Sequence, residues 1–95
     1  MNMAVTHPGD VLSRQMEEHN LTEAKLADDT GLSRALVSQI LRGNRRITPS
    51  TALLLARYFG TEPEFWLEDQ ERFDLAEAEK SLSERLAEIV PISKN

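Results

Sequence analysis

Apolar residues recur along the chain at helical spacing in short bursts, each fenced by residues that start or stop a helix. Pro8 and Gly9 open a first helix with Val11, Leu12 and Met16 on its apolar side, ending near His19-Asn20. His7 belongs to the start of that helix and His19 to its end, where a cation suits the dipole. Thr22 can cap a second helix from about Glu23 to Thr30, with Leu26 and Ala27 inside it. Gly31 comes four residues after Ala27, where a sharp turn favours positive φ. Ser33 caps a third helix, about Arg34 to Arg42, and Gly43 stops it. Val37 and Ile40 face inward there, and Ser38, Gln39 and Arg42 lie off that stripe.

Thr48-Pro49 starts a fourth helix with Ala52, Leu55, Ala56 and Phe59 as its buried stripe, and Gly60 ends it. Thr61 and Glu64 have capping-box spacing, so a fifth helix is expected from Pro63 through the Ala76–Lys80 region. A further helix is expected from Ser81 to Val90, with Ser81 and Glu84 as a second capping box. Leu82, Leu86 and Ile89 lie on one side of it, and Pro91 stops it. The pattern is all-α, with no strand and no internal repeat. Residues 1–61 read as a helix-turn-helix core and residues 62–90 as C-terminal helix or helices that complete the core and dimerise. Residues 91–95 read as a loose tail.

Composition narrows the class. The chain has 95 residues, 40% of them apolar, enough for one small core that gains from dimerisation. Without cysteine, disulfides and thiolate metal sites are excluded. The opening MNMAVTHPGD lacks the basic-then-apolar order of a signal peptide. No apolar run approaches the roughly 20 residues of a membrane span. A soluble cytoplasmic protein with no membrane partner is expected.

The net charge of −5 is segregated. Residues 1–61 hold seven basic and six acidic residues, net +1; residues 62–88 hold three basic and ten acidic, net −7. Gly31 to Arg46 carries Arg34, Arg42, Arg45 and Arg46 and no acid. Local basic charge is the footprint of a DNA site, so this segment outweighs the total.

A short helix packed on a second, with polar and basic residues outward, is the shape that enters a DNA major groove. The residues expected near base edges are Ser33, Arg34, Ala35, Ser38 and Gln39. Arginine pairs with guanine, glutamine with adenine, and an alanine methyl meets the thymine methyl. Arg42 lies nearer the sugar–phosphate backbone, and Asn44, Arg45, Arg46 and Thr48 are placed to grip phosphates. Leu36 has two open roles, in the core or against thymine.

Catalysis finds little support. His7 and His19 are separated by the first helix and share no metal-ligand spacing, and no glycine-rich loop resembles a phosphate cradle. The carboxylates of the fifth helix read as a solvated acidic face. No enzyme activity, cofactor or metal is expected. Phe65, Trp66 and Phe73 are three of the five aromatic residues and lie beyond the helix-turn-helix. Trp66 is expected to seal the core. Residues 62–88 are too long to be covered by a four-helix unit, so Phe73, Leu75, Leu82 and Leu86 are expected to bury against a second copy.

Three segments together go beyond a generic helix-turn-helix. His7-Pro8-Gly9-Asp10-Val11-Leu12 resembles the HPGE-I-L opening of HigA-type antitoxins in the phage-repressor-like (XRE) superfamily. Ile47-Thr48-Pro49-Ser50-Thr51-Ala52 and Leu54-Leu55-Ala56 resemble that family's fourth helix. Thr61 to Leu67, with Gln70, Phe73, Asp74, Leu75 and Ala76, is similar to its PEFWLNLQ-x-x-YDLA signature. The resemblance spans about residues 7 to 80. It implies a lambda-repressor-like bundle of four to five helices with a C-terminal helical extension. It also implies a homodimer that binds a palindromic double-stranded operator and neutralises a HigB/RelE-type mRNA-cleaving toxin. Operator recognition carries over to Ser33, Arg34, Ala35, Ser38, Gln39 and Arg42. Two departures stand out. Glu23 replaces a glutamine that touches phosphate in many superfamily members, and Glu68-Asp69 replaces Asn-Leu after the tryptophan. A stand-alone XRE repressor shares the same fold and DNA chemistry. An interaction module that has lost DNA binding is a third reading, favoured by Glu23 and the negative total charge and opposed by the acid-free segment.

Overall fold

Five of the six helices start where the sequence supplies a proline in the first turn or a side chain that accepts from a free N–H. A computed structural model describes residues 6–92. They form α1 (Pro8–Glu18), α2 (Glu23–Thr30), α3 (Arg34–Leu41), α4 (Pro49–Phe59), α5 (Pro63–Ser81) and α6 (Ser83–Glu88), with no strand among them. Within the described residues, no helix is long and apolar enough to cross a membrane. Three of the five expected hydroxyl caps are in place. Thr22 accepts from the Lys25 N–H at 3.1 Å, Ser33 from Leu36 at 3.0 Å and Thr48 from Thr51 at 3.4 Å. His7 is itself the cap of α1, its Nδ1 accepting from the Gly9 N–H at 2.8 Å.

The C-terminal starts differ from the expected ones. Glu62, not Thr61, stands at the cap of α5 and makes no side-chain cap bond. The Thr61 hydroxyl instead accepts from the Trp66 indole N–H at 3.0 Å. A buried indole N–H needs a partner, and that need takes the hydroxyl away from capping. Ser81 likewise caps nothing. It is the last residue of α5, and its hydroxyl donates to the Ala78 carbonyl at 3.4 Å. The last helix ends at Glu88, with Ile89 already extended. Val90 precedes Pro91, and proline disfavours helix at the residue before it. Of the expected tail, residues 91 and 92 carry no helix, and residues 93–95 lie outside the described part.

The core draws on every helix up to α5. Leu12, Leu26, Val37, Ile40, Ile47, Leu55 and Trp66 are essentially inaccessible to solvent. Phe59 is only half-buried, at the margin, where its ring lies 5.7 Å from that of Trp66. Gly9 allows the start of α1 to lie on the end of α3, since a Cβ there would run into the Ile40 carbonyl oxygen. α4 is tied to α2 from outside: the Tyr58 hydroxyl donates to Asp29 at 2.6 Å, and Lys25 pairs with Asp29 at 3.1 Å. Among the described residues none after Gln70 is buried, and α5 and α6 project as an arm, giving extents of 51 × 25 × 23 Å.

Two outcomes follow. Gly9→Ala has to push α1 off α3, at a cost of about 1–3 kcal/mol, readable as a lower denaturant midpoint. A midpoint equal to that of the parent would disprove the close approach. The second outcome concerns pH. The Tyr58 hydrogen bond first, and Lys25 second, hold the Asp29 carboxyl below its ordinary value. A depressed carboxyl contributes stability above its unfolded value, at about pH 4, and loses it as pH falls through the folded value. Tyr58→Phe should therefore be less stable than the parent at neutral pH, with a gap that narrows in acid. A gap of constant size down to strong acid would count against the bond.

Candidate nucleic-acid interface

The helix-turn-helix is built by opposite demands on its two ends. Leu26 and Ala27 hold α2 in the core, Gly31 turns the chain at φ 83°, and Val37 and Ile40 then hold α3. Anchoring α3 by those two residues leaves Ser33, Arg34, Ala35 and Arg42 exposed and Ser38 and Gln39 half-exposed. Leu36 packs against the core and is half-buried, so the first of its two roles is the one observed. The Ser33 hydroxyl is committed to its cap, which leaves its remaining lone pair and proton for any outside partner.

The loop after α3 presents Asn44, Arg45 and Arg46 to solvent and then returns to the core at Ile47. Nη1 of Arg45 donates to Oε1 of Gln39 at 3.1 Å, joining the loop to the helix face. Thr48 also lies open, though its hydroxyl both caps α4 and donates to Thr51 at 3.3 Å. Arg46 reaches across to α5, where its Nη2 meets Oδ2 of Asp74 at 2.6 Å.

Asp74 and Gln70 join this surface in a way the local sequence did not expose. Gln70 is 2% exposed; its Oε1 accepts from the Ile47 N–H at 2.7 Å, and its Nε2 donates to Oδ1 of Asp74 at 2.9 Å. The segment from Gly31 to Arg46 is acid-free in sequence, yet in space a carboxylate stands inside its basic patch. The one available signal was register: residues 66, 70 and 74 lie on successive turns of one helix face. A polar residue one turn beyond a core tryptophan must find buried partners.

Glu23 is exposed in the first turn of α2, where its charge suits the helix N-terminus. His19 closes α1 and packs edge-on against Phe59, with centroids 5.6 Å apart. The four residues expected at a dimer seam divide. Leu75, Leu82 and Leu86 are 60%, 40% and 48% exposed, with Ile89 beside them at 66%. Phe73 is half-buried within its own chain, its ring edge-on to that of His7 at 4.6 Å. No group of acidic and histidine side chains suited to a metal ion occurs among the described residues.

This geometry has close counterparts. Residues 12–66 match the sequence pattern of the family described as Helix-turn-helix. Virulence-associated protein I of Dichelobacter nodosus is 35% identical over 92 residues, spanning 96% of this chain and 84% of that protein. An addiction module antidote protein of the HigA family from Coxiella burnetii superposes with a TM-score of 0.87 at 36% identity, over 94% of this chain and 99% of the other. The antitoxin HigA of Pseudomonas aeruginosa, solved with the higBA promoter, superposes with a TM-score of 0.89 at 32% identity, over 95% and 100%. The chain therefore belongs to the XRE-type helix-turn-helix family and is a DNA-binding protein of the HigA-antitoxin-like kind.

Proposed function

We propose that this chain is a dimeric antitoxin that represses its own promoter and neutralises a HigB/RelE-type mRNA-cleaving toxin. One observation carries the reading. The open start of α3 and its arginine-bearing loop lie on one surface of a fold shared with a promoter-bound HigA. In this reading Arg34 pairs with a guanine, Gln39 with an adenine, and the Ala35 methyl meets a thymine. Ser33 and Ser38 complete the face toward the bases. Arg42, Asn44, Arg45, Arg46 and Thr48 hold the backbone and fix register.

The exposed apolar residues of the arm support a two-fold dimer through Leu75, Leu82 and Leu86, with Phe73 at the inner edge. Such a dimer presents two α3 helices to successive major grooves about 34 Å apart on a palindromic site. The toxin-binding surface is assigned to the acidic region of α5, where Glu68, Glu71 and Glu77 are exposed and complement a basic ribonuclease.

Alanine variants separate the roles. Arg34→Ala should cost about 1–3 kcal/mol and relax preference at one base pair per half-site. Arg46→Ala should weaken binding to every sequence alike and flatten the salt slope by about one unit. Arg45→Ala should do both, since Gln39 then loses its partner. Equal non-specific losses at all three positions would refute this assignment.

The toxin half is tested by growth. Inducing the reading frame adjacent to that of this chain should arrest growth, and co-expression of this chain should relieve the arrest with the two proteins co-purifying. Reversing the charge of Glu68, Glu71 and Glu77 should weaken that complex and its salt dependence. No arrest and no co-purification would leave a dimeric repressor without a toxin.

A further inference from the structure

Among the described residues, Arg46–Asp74 is the one ion pair that joins separate elements; Lys25–Asp29, Arg72–Asp69 and Lys80–Glu77 each lie within a single helix. A partly exposed ion pair contributes little to stability. A carboxylate inside a basic patch also opposes an incoming phosphate. Its presence there calls for another reason, and the hydrogen bonds behind it supply one.

Three bonds run in series from the core outward. The Ile47 N–H donates to Gln70 at 2.7 Å, Gln70 donates to Asp74 at 2.9 Å, and Arg46 donates to Asp74 at 2.6 Å. Direction is fixed along the whole series. Turning the Gln70 amide over would set its NH2 against the Ile47 N–H and its oxygen against the carboxylate. Both Asp74 oxygens are used, one toward the core and one toward Arg46. Asp74 is the less exposed partner, 39% against 62% for Arg46, so it stands on the core side of the guanidinium. Several guanidinium N–H donors remain unspent and face solvent. The anchor at Ile47 is the residue next to Arg46, so α5 fixes both the loop backbone and the arginine tip.

Building on the DNA-binding function proposed above, we propose that Asp74 is a positioning residue for DNA recognition. Held by Gln70, it orients the Arg46 guanidinium so that its free edge meets a phosphate of the bound duplex. An arginine fixed on one edge loses less freedom on binding than one free in solvent, and its fork is aimed rather than merely charged. Arg45, held by Gln39 at the neighbouring position, has no such support from α5.

The test uses the full chain and a duplex selected by it from a random-sequence pool, with an unselected duplex as reference. Asp74→Asn should weaken binding to the selected duplex by roughly five- to tenfold, although it removes a negative charge. In an Arg46→Ala background the same change should no longer weaken binding. Asp74→Glu, which keeps the charge and displaces the carboxylate, should also weaken binding with the salt slope unchanged. The proposal is overturned if Asp74→Asn tightens binding to both duplexes, because the carboxylate then only opposes DNA. It is equally overturned if Asp74→Glu binds like the parent, or if the loss is the same size with and without Arg46. Failure of the unaltered chain to select any duplex would overturn the DNA-binding function, and this inference with it.

Discussion

The surface around the recognition helix depends on one buried hydrogen bond, from the Ile47 N–H to the side chain of Gln70. The loop that leaves α3 must expose three polar residues and then return at once to the core, where Ile47 is 1% exposed. A loop residue drawn inside brings its backbone N–H with it, and leaving that group unpaired would cost about 1–3 kcal/mol. Helical pairing cannot supply the partner, because α3 has ended and α4 has not begun. Gln70 supplies it from α5. The position of Asn44, Arg45 and Arg46 relative to α3 is thereby set by a helix far along the chain.

The same demand explains why α5 is polar on a face that carries Trp66. Trp66 fills the core and Gln70 satisfies the loop one turn later. Asp74 takes the next turn, where the face emerges into solvent. One helix face thus passes from packing to hydrogen bonding to charge over two turns. The acidic total charge is compatible with a DNA surface because ten of the sixteen acids lie in residues 62–88 and none lies between Gly31 and Arg46, the segment that carries α3 and its loop.

The helices that hold their shape by local chemistry were legible in the sequence. Thr22, Ser33 and Thr48 cap as their residue types dictate, Gly31 adopts the left-handed turn, and Val37 and Ile40 are the buried pair of α3. Reading failed where a side chain had two possible partners. Thr61 had the spacing of a cap, but the indole of Trp66 claimed it; Ser81 had the same spacing but ends α5, its hydroxyl turned back to the Ala78 carbonyl. The candidate DNA residues were legible as a surface because exposure follows from the stripe of α3. Their couplings were not. Arg45 with Gln39 and Arg46 with Asp74 depend on how the loop folds over, which no periodicity encodes.

The arm gives the proposed dimer its physical reason. Beyond Gln70 no described residue is buried, yet Leu75, Leu82, Leu86 and Ile89 are large apolar residues left exposed along α5, α6 and their ends. A helix with an apolar side and no intramolecular cover is stabilised by another surface rather than by propensity. In the proposed dimer that surface is the same arm of a second copy. Asp74 and Leu75 are adjacent residues on α5, so the turn that grips Arg46 also begins the seam. The spacing of two recognition helices and the aim of each backbone-gripping arginine would then be fixed by one rigid element.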